Sequence, residues 1–497
     1  MELRSKIAVF WALFVVLALA LLAGCGGSSG HITPVPTPAP LSAGNVNLIF
    51  VVSPDLAYQA PGDVSPSTAN LTNQGLQRSL LTASFLQKSV LGTKNVTSVY
   101  ALVPMTHLQT ANNYPDMAAP ETIQQFALLN QITLPSDGVA GAPYVGNSYP
   151  LRVSYGTEPV PTGVAPPPLF CSNCQGLDFN DQGGDNETLV SGIIKANVPG
   201  FYVFSAPWET TSVLMANINK LEGYNLTMPA SYKGPNYIYA ISIPPSGSPS
   251  LVTYNSNLNP PSTYPVLLSS ALVSAPCAAP TPSSIEVTGG KDGAVIPATI
   301  NTNETLYIIR HAEAHPQNYW GDGNYVCAGQ WRALDLPNAL RGKMSPQQVW
   351  SIDPAQVTVG SVSTAGNSYS DAAPSMTAEP YAIANNLPYN LVVNFEISDP
   401  DSSQLAQLTS GFFFNNGTFS NQKVLLAWQF AQVPPAVDAL LSSYFPNGVA
   451  PAAPDWEGDD YDSIWTVTLD AQGNLSADFT KCEGIQSAAL PATCPQF

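Results

Sequence analysis

Positive charge is what this sequence has least of. Its 497 residues carry 16 Lys and Arg and four His against 34 Asp and Glu, a formal net charge of −18. Phosphate-backbone binding needs clustered Lys and Arg, so nucleic acid is excluded as a partner. The four histidines, His31, His107, His311 and His315, are too few for a His-rich metal centre, and neither a metal nor a cofactor is expected. Charged residues of either sign make up only 10% of the chain while 45% is hydrophobic. Disorder asks for the opposite balance, so most of the chain folds. Beyond residues 7–22 no apolar run is long enough to span a bilayer. Proline and glycine are abundant instead, 47 and 36 residues, which predicts long and numerous loops. Length suggests roughly three domains at about 150 residues each; two larger domains behind a leader fit equally well.

Residues 1–24 read as that leader. Arg4 and Lys6 precede the apolar run Ile7–Leu22, and Leu22-Ala23-Gly24-Cys25 follows. Small residues before a Cys at the end of an apolar core resemble the bacterial lipobox, which implies lipidation of Cys25. A plain signal peptide or a single membrane anchor is the alternative. Residues 25–46, with Thr-Pro-Val-Pro-Thr-Pro-Ala-Pro at 33–40, form a Pro-rich, semi-rigid tether. The expected location is therefore the bacterial cell envelope, outside the cytoplasm and lipid-anchored. Gly26 after Cys25 points to the outer membrane where the cell has one.

Six cysteines remain, Cys171, Cys174, Cys277, Cys327, Cys482 and Cys494. An even count in an exported chain favours disulfides. The expected pairs are Cys171–Cys174, Cys277–Cys327 and Cys482–Cys494, with metal binding by Cys171 and Cys174 a lesser alternative.

An internal repeat organises the rest. Leu48–Val52 and Leu306–Arg310 are apolar strand candidates, and each leads to a Gly that opens a helical pattern, Gly75-Leu-Gln-Arg78 and Gly329-Gln-Trp-Arg332. Gln109-Thr110-Ala111 and Met376-Thr377-Ala378 follow as helix openings. The strands Phe201–Ala206 and Val424–Trp428 come next, then the alternating Tyr237–Ile243 and Ser463–Leu469. Strands separated by helices predict two tandem three-layer α/β/α domains with mostly parallel sheets. The boundaries are 47–257, with an insertion at 132–195, and 300–497, joined by a connector at 258–299.

Ligands in open α/β sheets sit at the carboxyl ends of the strands, where the second copy places Arg310-His311-Ala312-Glu313. Arg offers a planar fork for phosphate oxygens, and a neutral imidazole is a nucleophile. Arg310-His311-Ala312-Glu313, then Gly329-Gln-Trp-Arg332-Ala-Leu, Met376-Thr377-Ala378-Glu379 and Val424-Leu-Leu-Ala-Trp428-Gln429, resemble the histidine phosphatase (phosphoglycerate mutase-like) superfamily over most of 300–497. The first copy resembles it through the repeat. The resemblance implies a pocket of two Arg and two His, the first His phosphorylated, with a carboxylic acid protonating the leaving group. Arg310 would be the phosphate clamp, His311 the nucleophile, and Glu313 the acid or the residue that orients His311. The second Arg and second His fall on Ala373 and Phe430, so half of the pocket is missing. Arg332, Arg341 and His315 are the candidate substitutes, and Glu396, Asp399 and Asp401 are further acids.

In the first copy Val52-Ser53-Pro54-Asp55 stands for Arg310–Glu313. Thr106 and Thr210 stand for the second Arg and His, and His107 is one residue out of register, which reads as a packed structural histidine. Loss of one preorganised donor typically costs about 10²–10³ in rate, so the two losses at Ala373 and Phe430 together amount to roughly 10⁴–10⁶. The expected function is therefore a lipid-anchored protein, non-catalytic or very weak, that binds a small phosphorylated or anionic ligand at Arg310, His311 and Arg332. The alternatives are an active phosphomonoesterase using His311, and a structural envelope module binding another protein.

Overall fold

The computed structural model describes residues 38–58, 60, 62–110, 112, 114–129, 151–155, 185–267, 277–314, 323–355, 357–359, 368–392 and 403–497. Two sheets, one from each half of the chain, organise them. The first half runs β1 (Val46–Val52), α1 (Asn73–Phe85), β2 (Ser98–Leu102), β3 (Leu108–Gln109), β4 (Tyr114–Pro115), α2 (Ala118–Leu129), β5 (Leu151–Tyr155), α3 (Asp185–Ala196), β6 (Gly200–Ala206), α4 (Trp208–Leu221), β7 (Tyr237–Ile243) and β8 (Ser250–Asn255). The second runs β9 (Ser284–Val287), β10 (Glu304–Arg310), α5 (Cys327–Ala339), β11 (Gln348–Ile352), β12 (Val357–Val359), β13 (Ser368–Ser370), α6 (Ala373–Asn385), β14 (Tyr389–Val392), α7 (Ser403–Phe414), β15 (Lys423–Trp428), α8 (Val433–Tyr444), β16 (Ser463–Leu469) and β17 (Leu475–Cys482).

Strand order is β5-β2-β6-β1-β7-β8 in one sheet and β14-β11-β15-β10-β16-β17-β9 in the other. Corresponding pairs share direction: β1 is parallel to β6 and antiparallel to β7, as β10 is to β15 and β16. Strand order and direction thus correspond between the two sheets, and the class is α/β.

The apolar runs are continuous because each central strand is covered on both faces. Ile49 and Val51 pack with Ala83 of α1 and Phe126 of α2, whereas Leu48 and Phe50 pack with Val190 of α3 and Met215 of α4. Ile309 likewise meets Ala333 of α5 and Met376 of α6, while Ile308 meets Phe413 of α7 and Leu440 of α8. Three layers follow in each half.

Several expected boundaries shift. Pro38–Phe497 forms one compact unit: Leu41 N–H donates to Val90 O at 2.9 Å and Tyr254 Oη to Ala39 O at 2.8 Å. The tether's last residues therefore belong to the folded body. The stretch expected as an insertion supplies the edge strand β5 and helix α3. The connector supplies β9, which extends the second sheet beside β17. The halves also bond to each other, Asn70 Nδ2 to Leu387 O at 2.6 Å and Val153 N to Ser370 Oγ at 2.8 Å.

The cysteine pairing differs from expectation. Cys277 bonds to Cys482 and Cys327 to Cys494. Spacing along the chain gave no hint of this, because the last strand and the C-terminal tail return to the start of the second half. Cys171 and Cys174 lie outside the described residues. Two disulfides fit an oxidising compartment outside the cytoplasm. Among the described residues no helix is long and apolar enough to cross a membrane.

Candidate functional site

The second half presents its site where β10 and β15 end side by side. Arg310 pairs with Trp428, and His311 N–H donates to Trp428 O at 3.1 Å. Thr377 of α6 accepts from Ala312 N–H at 2.7 Å and donates to Ala373 O at 2.7 Å, which pins the strand-end loop to the helix. Gly329 opens α5 because a Cβ there would stand 2.5 Å from Glu313 O.

His311 is 7% exposed. Its Nδ1 lies 2.8 Å from Ala312 O. A carbonyl can only accept, so Nδ1 carries the proton and Nε2 keeps the lone pair. Burial, with the Arg310 charge adding to it, pushes the imidazole down to about 3. The ring is therefore neutral at physiological pH with its free lone pair on Nε2, 3.5 Å from Arg310 Nη2.

Arg310 is 2% exposed and already engaged. Nη1 donates to Gly458 O at 2.9 Å, Asp460 O at 3.1 Å and Glu457 O at 3.4 Å. The guanidinium lies 4.1 Å from the Phe430 ring centre and 3.8 Å from that of Tyr461. Both rings also stand edge-on to His311, at 6.3 and 5.9 Å. Phe430, the residue at the missing second-His position, thus fills space beside the pair. Ala373, at the missing second-Arg position, is a buried residue opening α6.

Two further candidates do not join this pair. Arg332 was expected as a phosphate ligand, and the structure corrects that reading. It is fully buried, with Nε and Nη2 on the Glu313 carboxylate at 2.8–3.0 Å, Nη1 on Glu483 at 2.5 Å, and Nη2 also on Ile485 O at 2.8 Å. Burial lowers its pKa and the Glu313 and Glu483 charges outweigh that, for a net rise. Every nitrogen has its acceptor, so none is left for phosphate. Glu313, expected as acid or orienter of His311, is the fully buried partner of this pair. Arg341 is exposed just beyond the C-terminal end of α5, where its Nη2 donates to Asn338 Oδ1 at 2.9 Å; that end of the helix lies opposite the strand ends, so it does not reach the site. His315, Glu396, Asp399 and Asp401 lie outside the described residues.

One acid escaped the sequence reading. Asp371, just before α6, accepts from Gln429 Nε2 at 2.6 Å, and Gln429 directly follows Trp428. Burial lifts the Asp371 carboxyl to about 7, with the Gln429 bond pulling the other way. It is a buried acid able to hold a proton near neutral pH, one side chain from the strand end. No motif marks it.

The matching region of the first half differs from expectation in register. Thr72 N–H donates to Asp63 O at 2.9 Å and Arg78 Nε to Asp63 Oδ2 at 2.8 Å, just as Val326 N–H meets Glu313 O and Arg332 meets Glu313. Asp63, not Asp55, therefore stands for Glu313. Gln109-Thr110-Ala111 opens no helix: Leu108–Gln109 is a short strand and Thr110 has a φ of 65°. The helix starts at Ala118, where Thr122 Oγ1 donates to Ala118 O as Thr377 does to Ala373 O. Ala118 replaces Thr106 as the match for Ala373. Ser53 N–H bonds to Ala206 O as His311 bonds to Trp428 O, so Trp208, not Thr210, matches Phe430.

His107 lies at these first-half strand ends among three acids. Its Nε2 is 4.0 Å from Asp55, 3.8 Å from Asp116 and 3.9 Å from Glu209. Burial lowers the imidazole against the pull of Asp55, raises Asp116 well above the carboxylate range, and lifts Glu209 to about 8.

No family model matches the chain, and no curated protein matches it. Solved structures do. SixA from Agrobacterium tumefaciens is 16% identical and covers 36% of this chain and 97% of its own, with a TM-score of 0.20. A phosphoserine phosphatase from Entamoeba histolytica is 12% identical over 37% of this chain and 99% of its own, TM-score 0.20. A mycobacterial glucosyl-3-phosphoglycerate phosphatase is 11% identical over 36% and 98%, TM-score 0.21. Each of the three covers little more than a third of this chain.

Proposed function

We propose that this chain is a histidine phosphatase-like protein with two related domains, held outside the cytoplasm by a lipid on Cys25, whose Arg310–His311 site binds an anionic group without efficient turnover. The observation that carries this reading is the state of Arg310. One nitrogen is occupied by three carbonyls, and the rings of Phe430 and Tyr461 lie against the guanidinium. A phosphate clamp must offer its fork to the ligand; here Nη1 is taken, Nη2 faces His311 Nε2 at 3.5 Å, and Nε is buried without a hydrogen-bond partner, so the fork is taken in part and walled in by the two rings. Ala373 and Phe430 supply no N–H in place of the second Arg and second His. The net charge of −18 also opposes long-range attraction of phosphorylated substrates.

One observation favours a second reading, an active phosphomonoesterase. His311 has a neutral ring with a lone pair on Nε2, as nucleophilic attack on phosphorus requires, and Asp371, its carboxyl lifted to about 7 by burial, lies within one side chain of the strand end. In that reading Nε2 displaces the alcohol from the phosphomonoester, a carboxylic acid protonates the departing oxygen, and water then releases phosphate from the imidazole.

Turnover of an aryl phosphate by the full chain in detergent, from pH 4 to 8, with His311→Ala alongside, separates the two. No turnover, or equal turnover in both proteins, is expected. Turnover abolished by His311→Ala, with phosphate trapped on His311, overturns the non-catalytic reading.

A further inference from the structure

The first half does not keep an empty copy of the Arg310–His311 site at its strand ends. It places a different chemistry there. Asp55 follows β1, His107 follows β2, Asp116 closes the β3–β4 return, and Glu209 lies in the first turn of α4 after β6. Strands β2, β6 and β1 are neighbours in one parallel run of the sheet, so Asp55, His107 and Glu209 converge at its carboxyl edge with Asp116 beside His107.

Each buried acid is held by one oxygen and aims the other inward. Asp55 Oδ1 accepts from Tyr58 N–H and Asp116 Oδ1 from Ala118 N–H at 2.9 Å. Asp55 Oδ2 and Asp116 Oδ2 are buried without a hydrogen bond of good geometry, Asp55 lying against Glu209 and Asp116 against Gln109, and both carboxylates are 1% exposed. Both oxygens face His107 Nε2, at 4.0 and 3.8 Å, and Glu209 Oε1 faces it at 3.9 Å. These separations are too long for hydrogen bonds. They suit ligands gathered around an ion: at about 2.0–2.2 Å from a central cation, neighbouring ligand atoms stand roughly 3.4 Å apart in a tetrahedral site, a few tenths of an ångström closer than the three distances from His107 Nε2. The ligand atoms of Asp55, His107 and Glu209 lie within 4.8 Å of one another. Buried carboxylate oxygens aimed at each other call for a cation, and the nearby guanidinium of Arg78 is already bound to Asp63.

We propose that Asp55, His107 and Glu209 bind a divalent first-row transition cation, with Asp116 as a further oxygen donor. Imidazole with carboxylates, and no thiolate, suits Zn²⁺ or Mn²⁺. Two carboxylates from Asp55 and Glu209 balance its charge. The backbone bonds to Asp55 Oδ1 and Asp116 Oδ1 act as the outer contacts that fix ligand orientation. Where the second half offers Arg and His toward an anion, the first half offers acids toward a cation, and the site is independent of whether His311 turns over.

The test uses the full chain in detergent, stripped with EDTA and titrated calorimetrically with Zn²⁺ and with Mn²⁺. One saturable equivalent is expected, weakened at least tenfold by His107→Ala and by Asp55→Asn. Glu209→Gln, at the most exposed of the ligands, serves as the variant least able to disturb folding and is expected to weaken binding likewise. X-ray absorption of the Zn²⁺-loaded wild-type chain reads the ligands without any substitution, and nitrogen and oxygen neighbours including one imidazole are expected. Absence of saturable binding, sulfur in the first shell, or undiminished binding in both His107→Ala and Glu209→Gln overturns the proposal.

Discussion

Phe430 lies with its ring centre 4.1 Å from the Arg310 guanidinium, in the place where the resemblance asked for a second histidine. The contact is a cation–π pair in a buried setting, worth roughly 0.5–2 kcal/mol, and it covers one face of the group that would hold phosphate. Phe430→Ala is therefore expected to do two opposite things. It should lower stability by about 3–5 kcal/mol or somewhat less, since Phe430 is only partly buried and the cavity term is correspondingly smaller. It should raise affinity for inorganic phosphate, measured by calorimetry, because the face of Arg310 becomes open. Unchanged phosphate affinity in a folded Phe430→Ala protein would show that the ring does not gate the site.

His311 gives a second prediction. Burial and the neighbouring Arg310 hold its pKa near 3, against an ordinary value of 6.5. In the folded chain the ring should show no titration between pH 5 and 8, with the proton on Nδ1 throughout, read by nitrogen–proton correlation NMR. The sign for stability follows. A depressed folded pKa contributes stability that is present above about 6.5 and lost as the pH falls toward 3. His311→Gln should flatten the acid side of the denaturation profile relative to wild type, and an equally steep fall in both would argue against a buried neutral ring.

Arg332 and Arg341 make a paired test, since both were candidate phosphate ligands and both lie on or just after α5. Removing one partner of a buried ion pair leaves the other uncompensated, at a cost of about 3–5 kcal/mol. Arg332→Ala should lose at least that much through the stranded Glu313 and Glu483. Arg341→Ala breaks one exposed bond to Asn338 and should change stability by less than about 0.5 kcal/mol. Urea denaturation of both variants checks the contrast.

How much of this was legible beforehand depended on distance along the chain. The strands were legible because the cores of Val46–Val52 and Glu304–Arg310 are covered on both faces, so that Leu48–Val52 and Leu306–Ile309 read as unbroken apolar runs. The glycines Gly75 and Gly329 and the arginines that follow them were matched correctly, since helix openings are local. What failed spans loops. Asp63 takes the Glu313 role from eight residues beyond Asp55, and nothing in the spacing says how a loop of that length returns. Arg332 reads as a phosphate ligand only if α5 leaves its charge open there; Cys327–Leu334 is buried throughout, so that charge needed Glu313 and Glu483 from distant segments. The convergence of Asp55, His107, Asp116 and Glu209 draws on four separate segments and is visible only once the sheet is assembled.

The contact between the halves carries the last prediction. Glu121 of α2 and Glu379 of α6 are both buried and interact with each other. Burial lifts Glu121 from 4.5 to about 7, and burial together with the Glu121 charge lifts Glu379 well above its ordinary value. The unfolded chain ionises both near 4.5, whereas the folded chain keeps protons on them. Raised folded values mean that the contribution is intact below about pH 4.5 and is lost as pH climbs through about 7, at about 1.4 kcal/mol per unit for each group over the interval where only the unfolded chain has ionised. Glu379→Gln supplies a permanently neutral side chain of the same shape. Between pH 5 and 7 its denaturation midpoint should fall less steeply than that of wild type, and at pH 8 it should be the more stable protein. Parallel profiles for the two proteins would mean that the two carboxyls are not held neutral between the halves.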